Sequence, residues 1–415
     1  MFKSHDRLPD PIRIARTIRI LMPAFAALCL LACQSKSDAA RSKPEEIQKI
    51  HLPAPSTISE SERMQLSGAV SSWYDSLLKK GIFNGGIVVA KGGNIIFEKY
   101  QGQARLESPD PITSNTPFHI ASVSKTFTAM AVLKFCQDGK LSLDDAFSKY
   151  FPQFPYPGVT IQTLLNHRSG LPNYVYFMDE LGWDKSRYLS NQDVLDYLVN
   201  RKAELKNIGT PNTRFTYCNT NYALLALLIE KLSGESYPVF MKKNYFDPIG
   251  MEHSFVFTKS DSARVPLSYD YRGRLIPLNY LDLVYGDKNI YSTPQDLLKW
   301  DRALKPGVIF RQEWLEKAYT PYSNEKPGIR NYGLGWRLNV YPDGQKLTYH
   351  NGWWHGNNAS FVRMIQEDAT IIVLGNKFTH AIYKTKYLCS SFNSKLLPDR
   401  EEEDSNRVPG GATKK

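Results

Sequence analysis

"FHIASVSKTFTAMAVLKF", residues Phe118–Phe135, is the stretch that decides how the rest of the chain is read. It places Ser122, Ser124 and Lys125 where the chain turns into a helix. Helical positions three apart share a face, with Cβ atoms roughly 5–6 Å apart, so Ser122 and Lys125 meet at the first turn while Ser124 points elsewhere. A serine hydroxyl attacks a carbonyl only if a base takes its proton and dipoles hold the resulting oxyanion. A lysine in a water-poor cavity gives up its proton more readily than in water, which makes it a base or relay. The positive end of the helix adds to the field at the serine. The spacing alone does not single out this pair: Ser-x-x-Lys recurs at Ser76–Lys79 and Ser323–Lys326. In those settings a serine cap with a solvated lysine explains the pattern equally well.

Outward from this helix, strands are expected at the two ends of the chain. "GGIVVAKGGNIIFEKYQG" (85–102) reads as a hairpin about Lys91-Gly92-Gly93-Asn94, and "ASFVRMIQEDATIIVLGN" (359–376) as a second about Glu367-Asp368. "MQLSGAVSSWYDSLLKKG" (64–81) has helical spacing and a glycine stop, and "AIYKTKYLCSSFN" (381–393) reads as a closing helix. The middle, roughly 123–330, is mostly helical pattern broken by loops, without an internal repeat. The expected class is α+β: a central antiparallel sheet built from N- and C-terminal strands, flanked by helices, with a large helical region.

Two distant segments carry further chemistry. In "FTYCNTNYALLALLIEKL", Tyr217-Cys218-Asn219 precedes an apolar helix and offers a phenol and an amide; a core tyrosine beside a capping asparagine is the plainer reading. In "KLTYHNGWWHGNNASF", His350-Asn351-Gly352 is the single His-x-Gly of the chain, on an expected strand where glycine lets a ligand approach the backbone. The plainer reading there is an edge-strand histidine followed by core tryptophans, Trp353 and Trp354. No acidic partner at metal-site spacing accompanies His350 and His355, so no metal and no cofactor is expected.

The three motifs, in this order and at these wide intervals, resemble the serine β-lactamase and penicillin-binding superfamily, above all its class C β-lactamase, DD-carboxypeptidase and esterase group. "SVSKTFTA", "YCNTNYALL" and "YHNG" resemble its three site elements. "IQTLLNHRSGLPNY" (161–174), "NYFDPIGMEHSF" (244–255), "YSTPQDLLKW" (291–300) and "YGLGW" (332–336) also match, so the likeness runs from about Asn84 to Asn376. The resemblance implies a β-lactamase/transpeptidase-like fold. It also implies that Ser122 forms an acyl-enzyme, that Lys125 and Tyr217 share the proton work, and that Asn219 bonds the substrate amide or Lys125. The backbone N–H groups of Ser122 and Trp353 would form the oxyanion hole, with Gly352 beside them. His350 stands where class C β-lactamases carry lysine, a departure that weakens a carboxylate clamp because histidine titrates near neutrality. This favours a D-amino-acid peptide, amide or ester over a β-lactam as substrate.

The chain has 415 residues, 42% hydrophobic and 22% charged, which fits a globular body. Arg13, Arg16 and Arg19 precede an apolar run, Ile20–Cys33, shorter than the roughly 20 residues that span a bilayer. Leu30-Leu31-Ala32-Cys33 resembles a lipobox, although Leu31 is not the usual small residue. The expected organisation is a lipoprotein signal over 1–33 with lipidation at Cys33, a flexible tether over 34–62, a hydrolase domain over 63–397 and a disordered tail over 398–415. The protein is then exported and lipid-anchored to a bacterial membrane, facing periplasm or cell surface, with a small-molecule or peptide substrate of the envelope. Net charge is +11, of which residues 1–32 contribute +3, and no basic block suggests nucleic acid. Cys136, Cys218 and Cys389 form neither a disulfide framework nor a zinc pattern. The rival from another class is a catalytically silent envelope lipoprotein that binds peptidoglycan fragments.

Overall fold

The computed structural model describes residues 48–79 and 83–396. Its centre is a seven-stranded antiparallel sheet in the order β2-β1-β12-β11-β10-β9-β8. The strands are β1 (Gly85–Lys91), β2 (Asn94–Gln101), β8 (Arg330–Tyr332), β9 (Arg337–Val340), β10 (Lys346–Trp354), β11 (Asn357–Met364) and β12 (Ala369–Gly375). β1 pairs with β12, Ile87 facing Val373, so the N-terminal and C-terminal hairpins join in one sheet as expected. In the first hairpin Gly92 and Gly93 have φ of +59° and +79°. A two-residue turn with both φ values positive matches the twist of the flanking strands, and only glycine adopts it freely.

Strand side chains alternate between two cores. Val88, Phe361, Ile372 and Leu374 face a large helical layer, whereas Ile87, Val89, Val362, Ile371 and Val373 face a smaller one. Helix α1 (Glu60–Trp73) covers the smaller face with Leu66 and Val70. It begins at Glu60, ahead of the expected Met64, because Ser59 Oγ accepts from Glu62 N at 3.2 Å and caps it. Across the larger face runs α2 (Ser124–Gln137), in which 12 of 14 residues are buried. A helix buried on nearly every side belongs at the centre of a layer, and α2 packs there with α3 (Asn219–Ser233) and α4 (Pro294–Ala303). Phe127 of α2 stacks on Trp300 of α4 at 4.4 Å. Removing such a ring leaves a cavity worth about 3–5 kcal/mol.

Two short sheets complete the frame. β3 (Phe118–His119), β7 (Ile290–Ser292) and β4 (Phe255–Val256) form one, and β5 (Ser268–Tyr269) and β6 (Leu275–Ile276) the other. The closing helix expected over 381–393 is a 3-10 turn, His380–Lys384, leading into the short helix α5 (Thr385–Cys389). Tyr383 and Thr385 are both drawn to β11, where they bond Asn358 and Ser360.

The expected signal, Cys33, the first part of the tether and the expected tail lie outside the described residues. From Lys49 onward the tether region is bound to the body. Ile50 N donates to Pro248 O at 2.8 Å and Ser56 N to Gly92 O at 2.8 Å, and Arg302 bonds Pro53 O. A flexible segment reaching to residue 62 is therefore too long. Cys136, Cys218 and Cys389 are buried free thiols.

Candidate active site

The site forms where β3 enters the 3-10 turn Ala121–Val123 and then α2. Ala121 sits at φ +48°, a conformation that strains any residue with a side chain. Its N–H donates to His119 Nδ1 at 3.0 Å, and His119 Nε2 then donates to Asn289 Oδ1 at 2.9 Å. Burial lowers the His119 pKa to about 4, so the ring stays neutral and keeps this tautomer. The result is a turn held in one strained shape that presents Ser122, which is half-buried and keeps access to solvent.

Lys125 is fully buried, and its Nζ donates to Ser122 Oγ at 3.0 Å and to Asp287 O at 2.7 Å. Both acceptors lack formal charge. Two aromatic rings also border it: Nζ lies 5.0 Å from the Tyr217 ring centroid and 5.7 Å from that of Tyr222. Ser124 instead accepts from Ile290 N at 3.1 Å, so it serves the frame. The expected pairing of Ser122 with Lys125 is present, and Tyr217 borders the same amine.

Tyr217 comes from the loop before α3 and packs against His167 in a tilted pair with ring centroids 4.4 Å apart, with the Arg337 guanidinium 5.2 Å from its ring. Asn219 is the first residue of α3, and its Oδ1 is buried without a protein hydrogen bond among the described residues. Cys218 points the other way, with Sγ 3.4 Å from Leu171 O. Burial pushes its thiol up to about 11, which makes it a core group.

β10 closes the site. A Cβ built on Gly352 would lie 2.4 Å from Ile120 O, 3.0 Å from Ala121 Cβ and 3.1 Å from Ser122 N. Only glycine lets this strand lie against the nucleophile turn. The His350 ring is 6.3 Å from the Tyr217 ring and is fully buried. Its Nδ1–H donates to Asn351 O at 2.7 Å, and its Nε2 accepts from Tyr332 OH at 3.2 Å. Burial holds its pKa well below the usual value, with Arg337 and Lys125 adding to the shift. Trp353, on this strand, is 43% exposed, so the core role considered for it fails. Trp354 is the anchored one: its Nε1 donates to Asp282 Oδ1 at 2.5 Å. His355 also bonds Asp282, at 3.0 Å, and does not join His350 at a shared ligand.

Several residues here were not reached from the sequence. His119, Asn289 and the Asp287 carbonyl shape the nucleophile turn and hold Lys125, and Arg337 is a cation at the same wall. Nothing local marks them, because each acts through a backbone atom or through a fold contact more than a hundred residues distant. Arg337 follows the quoted "YGLGW" directly and was the nearest to being found.

The chain matches the family described as "Beta-lactamase" over residues 61–385. It belongs to that family. The family member is 33% identical over 333 residues to "Penicillin-binding protein 4*" of Bacillus subtilis, covering 76% of this chain and 73% of the relative. It is 29% identical to "Putative penicillin-binding protein PbpX" of the same organism, over 62% of this chain and 63% of that one. Among solved structures, a penicillin-binding protein from Bacillus halodurans superposes with a TM-score of 0.66 at 25% identity, covering 79% of this chain and 98% of that one. An octameric penicillin-binding protein homologue from Pyrococcus abyssi gives 0.64 at 26% identity, over 79% and 77%. The mixed fold with its antiparallel sheet is the one these relatives share, and this β-lactamase-family chain is a serine hydrolase of the β-lactamase and DD-peptidase type.

Proposed function

We propose that the protein is an exported acyl-serine hydrolase acting on a D-amino-acid peptide, amide or ester of the cell envelope. The observation that carries this reading is the Lys125 Nζ–Ser122 Oγ contact of 3.0 Å inside an aromatic, largely dehydrated cage. Ser122 Oγ attacks the substrate carbonyl carbon while its proton passes to Lys125 or Tyr217. The carbonyl electron pair moves onto oxygen, and the backbone N–H groups of Ser122 and Trp353 receive it. Collapse of that intermediate breaks the C–N or C–O bond, and the stored proton goes to the leaving group. Water then repeats the sequence on the ester and frees Ser122.

Support for the oxyanion assignment is the tight apposition of Gly352 to Ser122 N. Asn219, with a free buried acceptor, suits the substrate amide N–H. His350 is neutral in this setting, so it serves as a shaped polar wall. The fixed cation for a substrate carboxylate is Arg337, whose guanidinium faces Tyr217. Outside the described residues, the Ile20–Cys33 run supports export with a lipid on Cys33, facing periplasm or cell surface. Among the described residues no helix is long and apolar enough to cross a membrane.

The test is labelling with a fluorescent penicillin and, separately, a fluorophosphonate. Label from both identifies a penicillin-recognising enzyme, and label from fluorophosphonate alone an esterase or peptidase. A folded sample that takes neither label favours the silent binder.

A further inference from the structure

Tyr383 contacts neither Ser122 nor Lys125, yet it touches the backbone of the site. Its phenol donates to Gly352 O at 2.9 Å. The Gly352 carbonyl and the Trp353 N–H belong to one peptide unit, which is planar with the two groups pointing in opposite directions. A donor fixed on the carbonyl therefore orients the N–H that faces away from it. It also polarises that N–H, since hydrogen bonds in a chain strengthen one another.

The donor direction is set by the surrounding bonds. Thr379 N donates to Asn358 Oδ1 at 2.9 Å, which fixes the amide of Asn358. Asn358 Nδ2 then donates to Tyr383 OH at 2.6 Å, leaving the phenol proton for Gly352 O. Burial keeps that phenol well above its ordinary pKa, so it remains a donor at every working pH. Asn358 is opposite Trp353 in the β10–β11 register, so the relay starts on the neighbouring strand.

We propose that Tyr383 is a positioning residue for the oxyanion hole, acting through the Gly352–Trp353 peptide. The inference rests on the acyl-enzyme reading above. It is tested in the full protein with Tyr383→Phe, which removes one oxygen from a half-buried ring. Loss of a direct oxyanion donor costs 10²–10³ in kcat, so loss of its orienting partner is expected to lower kcat about tenfold with KM nearly unchanged. The carbonyl stretch of the acyl-enzyme, read by infrared difference with a ¹³C-labelled ester, should move to higher wavenumber as the hole weakens. A merely structural residue would lower the thermal midpoint without moving that band.

Should Tyr383→Phe not fold, Asn358→Asp serves instead. It keeps the acceptor for Thr379 N but draws the phenol proton to itself, and the same band shift is expected. Ser122→Ala separates the two claims. If that variant still acylates, the reading of the site fails. If it is silent while Tyr383→Phe keeps the parent kcat and band position, only the role of Tyr383 fails.

Discussion

Gly352→Ala tests how closely the third strand of the site must approach the nucleophile turn. The added methyl would sit 2.4 Å from Ile120 O, whereas ordinary contact needs 3.4 Å or more. β10 or the turn must therefore yield by about 1 Å. Displacements of that size at a reacting centre cost on the order of 100-fold in rate. The strain spread into the sheet is worth about 1–3 kcal/mol, which a body of this size survives. The assay is the second-order rate of Ser122 acylation by a chromogenic ester, with the thermal midpoint measured alongside. A large loss of acylation with a modest fall in midpoint is expected. If the alanine protein acylates within threefold of the parent, the strand does not set the geometry of the hole and the reasoning is wrong.

Four other outcomes follow from the same geometry. Three histidines, His119, His167 and His350, are buried with pKa values below their ordinary 6.5. The unfolded chain therefore binds more protons than the folded one below pH 6.5, so stability is lost as the pH is lowered through 6.5, by at most about 1.4 kcal/mol per pH unit for each. Denaturant unfolding between pH 7 and pH 4.5 should show this slope, and a flat profile would refute it. His350→Lys puts a charge into a fully buried position already facing Arg337 and Lys125, so a loss of about 3–5 kcal/mol is expected in the same unfolding assay. Arg337→Met should raise KM for substrates with a free carboxylate about tenfold and leave uncharged esters unaffected, as steady-state kinetics will show. Phe127→Ala should cost about 3–5 kcal/mol through the cavity left beside Trp300, with kcat of the surviving folded fraction little changed.

Much of the fold was legible because its signals are local. The Gly92-Gly93 turn and the two β-rich pairs gave the hairpins, and the chain-end strands then had to find each other. The turn into a helix at Phe118–Phe135 was legible too, whereas its burial on nearly every side is a property of the folded layer. The start of α1 was missed because a single cap, Ser59, outweighs the apolar spacing that begins at Met64. The closing helix was over-extended, since side-chain bonds from Tyr383 and Thr385 to β11 break its axis.

At the site, residues whose chemistry is visible in their own side chains could be named: Ser122, Lys125, Tyr217, Asn219 and His350. The contributions of Ala121, Asp287 and Tyr383 could not, because each depends on a backbone dihedral or carbonyl that only the folded chain defines. His350 illustrates the division. Its position was legible, but its neutrality follows first from burial, with Arg337 and Lys125 adding to it.

The central claim is that Ser122 is the acylated atom and Lys125 its proton acceptor or relay. It is tested most directly by digesting the fluorophosphonate-treated protein and locating the adduct by mass spectrometry. The account predicts a single modified peptide carrying the label on Ser122, absent in Ser122→Ala and slowed at least 100-fold in Lys125→Met. Label on another residue, or an unchanged labelling rate in Lys125→Met, would contradict it.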